Sequence, residues 1–149
     1  MSGKTFATGD LLAVLLDDEL KGILSKVKTI AVIGASDRPN RPVDMVGRYL
    51  IRAGYTVIPV HPKRKSVWGL RAFASVLDVP EPIDILNLFR ASRFIPDHAR
   101  ECAALVPAPK IFWMQEGIRS PEAGSILMGT GVKVVEDLCL SVEHKRLFG

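Results

Sequence analysis

Short apolar runs that alternate with segments of helical spacing constrain this chain more than any other feature. The apolar runs span residues 29–33, 55–60, 83–89, 110–114 and 132–135. Helical spacing is found at residues 43–53, 93–105, 121–128 and 140–147, with a weaker strand and helix within 67–79. Nearly continuous apolar runs are typical of strands buried on both faces, and their alternation with helices implies parallel βαβ units. The sequence therefore predicts an α/β fold with a doubly wound, mainly parallel sheet.

Apolar residues also recur at helical spacing near the N-terminus. They are Leu11, Leu12, Leu15, Leu16, Leu20, Ile23 and Leu24. This pattern predicts an amphipathic helix within residues 1–24 that packs on a domain formed by residues 25–149. The apolar run at 11–16 is closed by acidic residues. It is too short for a signal peptide or for a membrane span of about 20 residues. We therefore expect a cytoplasmic protein with no membrane partner.

Charge and cysteine content narrow the classes of partner. Lys and Arg number 20 against 16 Asp and Glu, a net charge of +4, and the basic residues form no tail. We therefore expect no nucleic-acid partner and a preference for an anionic small molecule. Cys102 and Cys139 lie far apart and form no CxxC pair, so the sequence predicts neither a metal site nor a disulfide framework.

The loop after the first predicted strand of the sheet has features of an anion site. In open α/β sheets, ligands bind beyond the carboxyl ends of the strands. Gly34, Ala35 and Ser36 begin this loop, and Arg41 and Pro42 lead into the next helix. Glycine permits a close backbone approach, and the free N–H groups of a helix start suit a pyrophosphate. The alternative is an ordinary loop in which Asn40 caps the helix.

The residues after the second strand argue against a standard NAD site. The fingerprint GxGxxG would need glycines where the chain has Ser36 and Pro39. An NAD-binding domain also places a carboxylate near the position where this chain reads His61, Pro62 and Lys63. Together with residues 64 and 65 these form a basic turn. Such a turn suits the phosphorylated ribose of coenzyme A or of NADP, and a solvated surface turn is the alternative.

Two further strand ends add candidates for the same edge of the sheet. Phe89 and Arg90 follow the third clear strand, and Gln115 and Gly117 follow the next. Phe89 could pack on a ligand face and Arg90 could bind a phosphate, while core packing and surface charge are the alternatives. Gln115 and Gly117 would offer an amide and an open backbone.

Read in order, these stretches resemble the CoA-binding domain family, small Rossmann-like proteins similar to the N-terminal domain of the succinyl-CoA synthetase α subunit. The resemblance is carried by residues 30–36, 41–50, 54–62, 80–90, 113–117, 137–139 and 143–144. It implies a small-molecule ligand, coenzyme A or an acyl-CoA. The cofactor-binding residues it implies are Gly34, Ala35, Ser36, Arg41, Pro42, His61, Pro62, Lys63, Phe89, Arg90, Gln115 and Gly117. The chain departs from the family at His61, where many relatives have asparagine.

No motif for catalysis is present in the sequence. It contains no GxSxG, no Walker loop and no HExxH. His144 beside Glu143 is interpreted as a salt-linked surface histidine. Cys139 is interpreted as a small core residue, and a mixed disulfide with the coenzyme A thiol is the alternative. We therefore expect a non-catalytic or regulatory binding module and no enzyme. An NADP-binding oxidoreductase or redox-sensing domain is the alternative, and the acyl group and the oligomeric state stay open.

Overall fold

The computed structural model describes residues 4–6 and 14–149. The strands are β1 (Lys4–Phe6), β2 (Val14–Leu16), β3 (Thr29–Ile33), β4 (Thr56–Val60), β5 (Ser66–Val67), β6 (Leu70–Arg71), β7 (Ile85–Leu88), β8 (Ile111–Met114) and β9 (Lys133–Val135). The helices are α1 (Asp17–Lys26), α2 (Pro42–Arg52), α3 (Ile95–Ala104), α4 (Pro121–Leu127) and α5 (Leu140–Phe148). Short 3₁₀ turns cover Val76–Asp78 and Ser92–Phe94.

Five of the strands form one sheet in the order β4-β3-β7-β8-β9, and all neighbouring pairs are parallel. The predicted doubly wound parallel sheet is confirmed. From β3 the chain first adds β4 on one side and later adds β7 on the other, so the strand order reverses between β3 and β7. The loops that leave these two strands therefore diverge, and a crevice opens at their carboxyl ends.

Alternate residues of each central strand belong to two separate apolar layers, one on each face of the sheet. Along β3, Ile30 and Val32 pack with the buried residues of α1, α2 and α5, whereas Ala31 and Ile33 pack with those of α3 and α4. Successive side chains of a strand point to opposite faces, so a strand covered on both sides must be apolar throughout. This is why the strands of the sheet appear in the sequence as continuous apolar runs.

The N-terminal helix is shorter than the apolar spacing predicts. Leu15 and Leu16 belong to β2, which pairs antiparallel with β1, and α1 begins at Asp17. Acidic residues fill the first turn of α1, where the helix dipole favours negative charge. Leu20 and Leu24 are buried in the core, as the apolar stripe requires. The remaining leucines of the pattern, at 11 and 12, lie outside the described residues. Within the described part of the chain, no helix has the length and apolar character of a membrane span.

His144 does not lie on the surface in a salt link, contrary to the interpretation from sequence. Its Nδ1 lies 2.7 Å from the Tyr49 hydroxyl oxygen, and its ring stacks on Phe148 with centroids 4.5 Å apart. Glu143 instead accepts a hydrogen bond from Arg146 at 2.8 Å. The aromatic neighbours partly bury the imidazole, and this partial burial lowers the pKa of His144 below its ordinary value.

The burial of His144 predicts that stability falls as the pH is lowered. Because its pKa is lower in the folded chain than in the unfolded chain, the unfolded chain binds the proton more tightly. The contribution of the neutral ring is therefore complete above about pH 6.5 and is lost as the pH falls towards the folded-state pKa. Urea denaturation from pH 5 to pH 8 will measure it. The difference between the wild-type chain and His144→Gln should shrink on acidification, and a constant difference would contradict the prediction.

Candidate ligand-binding groove

Two adjoining crevices lie beyond the carboxyl ends of β3, β4, β7 and β8. The first has a volume of about 430 Å³ and the second about 410 Å³. The residues that line both are Gly34, Ser36, Phe89 and Arg90. Because the crevices share these residues, we treat them as one groove and call it the switch-point groove. Its size is in the range of sites that hold small organic cofactors.

The groove brings together almost all of the residues predicted from the sequence. Ala35, His61, Pro62 and Lys63 line only the first crevice. Arg41, Pro42 and Gln115 line only the second. The second crevice is completed by residues that were not predicted, namely Val43, Ala91, Glu116 and Ile118.

Gly117 is the predicted residue that lines neither crevice. Its N–H donates a hydrogen bond of 2.7 Å to the Asp137 carboxylate. Asp137 also binds the Arg119 guanidinium at 2.7 Å. The hydrogen bond from Gly117 and the charge of Arg119 lower the pKa of the Asp137 carboxyl. The backbone of Gly117 therefore serves to fix the loop after β8 against the end of β9.

Gly34 sets the floor of the groove through its backbone. Its φ of +85° lies in the left-handed region that glycine adopts without strain. Its N–H donates to the Val60 carbonyl oxygen at 3.0 Å, at the end of β4. A Cβ at this position would lie 2.6 Å from the Phe89 carbonyl oxygen, just after β7. The ends of three adjacent strands can approach one another closely because residue 34 carries no side chain.

The start of α2 opens on the second crevice without a side-chain cap. Arg41 is the N-cap residue and its side chain makes no capping hydrogen bond, while Pro42 occupies the first helical position. Asn40 adopts a positive φ of 66° one residue earlier and does not cap the helix. The first turn contains one carboxylate, Asp44, whose Oδ1 accepts hydrogen bonds from Trp68 and Arg48. The helix start thus combines a positive dipole end with a cationic cap residue.

The cationic side chains of the basic turn at residues 61–65 make different contacts. Arg64 donates to both carboxylate oxygens of Asp37, at 3.1 and 3.0 Å, and to the Ser66 carbonyl oxygen at 2.9 Å. The Arg64 hydrogen bond lowers the pKa of Asp37. Lys63 lines the first crevice and Lys65 does not. Lys63 is therefore the cation of this turn that faces the groove, and Arg64 ties the turn to the loop after β3.

Arg90 is the cation shared by both crevices. Its guanidinium carbon lies 4.4 Å from the centroid of the Phe94 ring, a cation–π distance. Arg93 packs on the same ring at 4.5 Å. Among the residues described, no carboxylate forms an ion pair with Arg90, so its charge remains available to an anion in the groove. The sequence analysis did not identify Phe94 as part of the site. It could have been identified as an aromatic residue four positions after Arg90, a candidate phosphate-binding arginine.

Gln115 is 4% exposed and its side chain is partly engaged by the protein. The Oε1 atom accepts hydrogen bonds from the Asn87 side-chain amide and from the Leu140 backbone N–H, each at 3.3 Å. Leu140 is the first residue of α5, so Gln115 links this helix start to the sheet. In the described structure no hydrogen bond uses the Nε2 group of Gln115, which leaves that donor for a ligand.

Cys139 precedes α5 as its N-cap residue and lines neither crevice. It is partly buried, and its Sγ atom lies 3.3 Å from the Ser141 hydroxyl oxygen. The second cysteine, Cys102, is buried in the layer formed with α3 and α4, and burial raises the pKa of its thiol to about 12. Across the described residues, no group of three or more histidine, cysteine, aspartate or glutamate side chains could hold a metal ion.

Two similar proteins match this chain over most of its length. The uncharacterized protein YneT of Bacillus subtilis is 42% identical over 126 residues, which is 85% of this chain and 92% of YneT. The solved structure of cell-free ID.343 from Thermus thermophilus is 48% identical with a TM-score of 0.84. That match covers 90% of this chain and 100% of the Thermus chain. The fold of this chain therefore extends over the whole of the Thermus chain.

Other relatives are much longer than this chain. The ADP-forming acetate–CoA ligase I of Archaeoglobus fulgidus is 31% identical over 75 residues, which is 50% of this chain but 11% of the ligase. The similar segment is therefore a small part of that enzyme. The family model described as CoA binding domain matches residues 28–145. This match confirms the resemblance inferred from the sequence, and the chain belongs to the CoA binding domain family.

Proposed function

We propose that this chain binds coenzyme A or an acyl-CoA in the switch-point groove, as a non-catalytic or regulatory module of the cytoplasm. The observation that carries the proposal is the charge of the groove. Among the described residues, its first crevice is lined by Lys63 and Arg90 and by no carboxylate, and it continues into the uncapped start of α2. A ligand with several phosphates at one end and a less charged tail fits this arrangement.

The distribution of polar groups favours one orientation of the ligand. The phosphorylated adenosine would lie in the first crevice, close to Lys63. The pyrophosphate would cross Gly34 and Ser36 beside Arg90, which line both crevices. The pantetheine would follow the second crevice, where Ile118 and other apolar residues contribute to the wall. Glu116, the one carboxylate among the described lining residues, lies at this second end and away from the proposed phosphate sites.

The absence of a reactive pair in the groove supports a binding role. A nucleophilic serine needs an adjacent base. The Ser36 hydroxyl oxygen accepts a hydrogen bond from the Arg38 N–H at 3.2 Å, and among the described residues no histidine or carboxylate side chain forms a hydrogen bond with it. The relative named as an acetate–CoA ligase matches this chain over 11% of its own length, so the similarity does not by itself bring ligase activity to this chain.

Isothermal titration with coenzyme A, acetyl-CoA and NADPH tests the proposal. Binding of coenzyme A or acetyl-CoA in preference to NADPH is expected, and binding of NADPH alone would overturn the proposal in favour of the alternative site. The comparisons give no support to an NADP site. Thiol release from acetyl-CoA in the presence of the protein will test the non-catalytic role, since turnover would contradict it.

The proposed orientation predicts that Lys63→Glu discriminates between two related ligands. Affinity for coenzyme A should fall roughly tenfold or more, because a charge-assisted hydrogen bond to the 3′-phosphate is replaced by repulsion. Affinity for dephospho-coenzyme A, which lacks that phosphate, should change less. Titration of both ligands into both proteins will measure the difference.

Lys65→Glu is the matched control for Lys63→Glu. It makes the same change in net charge two residues away, on an exposed side chain outside the groove. We expect Lys65→Glu to weaken both ligands slightly and equally. Equal losses of both ligands in Lys63→Glu would show that Lys63 does not recognise the 3′-phosphate.

A further inference from the structure

His61 is held in place by a hydrogen bond from its own backbone and by two hydrogen bonds to one nitrogen of its ring. Its own N–H donates to the Phe73 carbonyl oxygen at 2.9 Å, which fixes the end of β4. Its Nδ1 atom accepts hydrogen bonds from the N–H groups of Lys63 at 3.0 Å and Arg64 at 3.1 Å. A ring nitrogen accepts only when it carries no proton, so Nδ1 is unprotonated. The neutral ring therefore carries its proton on Nε2.

These two hydrogen bonds hold the backbone of Lys63 and Arg64 against the ring. The side chains of the two residues lie in different places. Lys63 lines the first crevice, and Arg64 reaches the Asp37 carboxylate in the loop after β3. The ring of His61 therefore contacts the backbone of both residues: Lys63, which faces the groove, and Arg64, which forms the ion pair between the two loops.

The surroundings of the ring keep it neutral. Burial and the positive charges of Arg64, Arg90 and Lys63 all disfavour the imidazolium form. The Asp37 carboxylate, which lies in the loop after β3, is engaged by Arg64. These causes lower the pKa of His61 below its ordinary value. At neutral pH, Nδ1 therefore stays free to accept.

We propose that His61 is a positioning residue, which shapes the basic turn through Nδ1 and presents Nε2–H to an anionic oxygen of the ligand in the first crevice. His61 lines this crevice, and with Nδ1 occupied by the backbone, Nε2 is the one polar atom of the ring left for a ligand. The role of Nε2–H rests on the proposed function, whereas the role of Nδ1 in the turn does not.

Nuclear magnetic resonance of the ligand-free protein tests the turn. At pH 7 the ring nitrogen shifts should show an unprotonated Nδ1 and a protonated Nε2, with a titration midpoint below about 6.5. The amide protons of Lys63 and Arg64 should be protected from exchange at pH 7 and lose protection as the ring titrates. A proton on Nδ1 at pH 7 would overturn the proposal, and so would amide protection that does not change as the ring titrates.

Ligand titration of two variants tests the effect on binding. His61→Asn retains a side-chain oxygen that can accept from the same two backbone N–H groups and an amide that can donate. We expect its affinity for coenzyme A to stay within about threefold of wild type, while His61→Leu, which has neither group, should lose about tenfold or more. His98→Leu, which removes a histidine on α3 outside the groove, is the control and should bind normally.

The two experiments separate failure of this inference from failure of the proposed function. If the wild-type chain does not bind coenzyme A, the proposed function fails and the role of Nε2–H fails with it, while the spectra of the ligand-free protein still decide the role of Nδ1. If coenzyme A binds and His61→Asn is as damaging as His61→Leu, the positioning role is wrong. If His61→Leu does not fold, the His61→Asn titration and the wild-type spectra still give the answer.

Discussion

Gly34→Ala is expected to abolish measurable binding of coenzyme A and to lower the free energy of unfolding by about 3 kcal/mol. The backbone at residue 34 has a φ of +85°, where an L-residue costs about 1–2 kcal/mol. The new Cβ would also lie 2.6 Å from the Phe89 carbonyl oxygen, and overpacking of this kind costs about 1–3 kcal/mol. Because the obstacle is backbone, the loop after β3 must move away from the end of β7. That movement separates Ser36 from Arg90, which share both crevices.

Gly131→Ala separates the two causes of the lost stability, which are the strain of a positive φ and the contact of the new Cβ with Phe89. Gly131 has the same φ of +85°, but no described atom lies within 4 Å of a Cβ built there, and the residue lies outside the groove. We expect it to lose about 1–2 kcal/mol of stability and to keep its affinity for coenzyme A. Urea denaturation and isothermal titration will measure both quantities. If the two variants lose the same stability and both still bind, the contact with Phe89 does not shape the groove.

The parts of the fold that the sequence predicted correctly are those set by local pattern. A strand covered on both faces must be apolar at every position, so β3 could be located from residues 29–33 alone. The end of that strand is marked by Gly34, whose positive φ and close contact with Phe89 explain why the chain has glycine there. In a parallel sheet the strand ends meet at one edge, so locating the strands also located most of the groove.

The parts that the sequence could not predict depend on contacts between distant residues. In the sequence, the cations of the basic turn at residues 61–65 cannot be told apart. In the structure, Arg64 is engaged by the carboxylate of Asp37, which lies 27 positions earlier in the chain. Gly117 is likewise held by Asp137, 20 positions away. At the N-terminus, pairing with β1 places Leu15 and Leu16 in a strand, although their spacing with later leucines is helical. Each of these outcomes depends on which partner is close in space, and periodicity carries no information about that.

The position of the basic turn depends further on a packing contact that joins it to α2. Residues 66–71 form the hairpin of β5 and β6 directly after the turn. Trp68 connects this hairpin to α2, because its Nε1 donates to the Asp44 carboxylate at 2.9 Å. Its ring lies over Gly47, where an added Cβ would fall 2.1 Å from the indole. The glycine in the middle of α2 therefore leaves the space into which the indole ring packs.

Gly47→Ala is expected to lower the free energy of unfolding by about 1–3 kcal/mol and to weaken coenzyme A binding. Helix propensity alone predicts the opposite sign, since alanine in a helix interior is favoured over glycine by about 0.5–1 kcal/mol. Stability is lost because the new methyl group displaces the indole ring of Trp68 from α2. This displacement strains the hydrogen bond to Asp44 and shifts the hairpin that follows the basic turn. Urea denaturation and isothermal titration will measure the two effects.

Gly22→Ala is the matched control, because Gly22 lies in the interior of α1 and no described atom is within 4 Å of a Cβ built there. We expect this variant to gain about 0.5–1 kcal/mol and to bind normally. A double-mutant cycle then identifies the obstacle: in a Trp68→Ala background, the further change Gly47→Ala should cost nothing or stabilise the chain. If Gly47→Ala is equally harmful with and without the indole, the ring does not determine the choice of glycine. The position of the basic turn would then depend on its other contacts, among them the Asp37–Arg64 ion pair and the hydrogen bonds of His61.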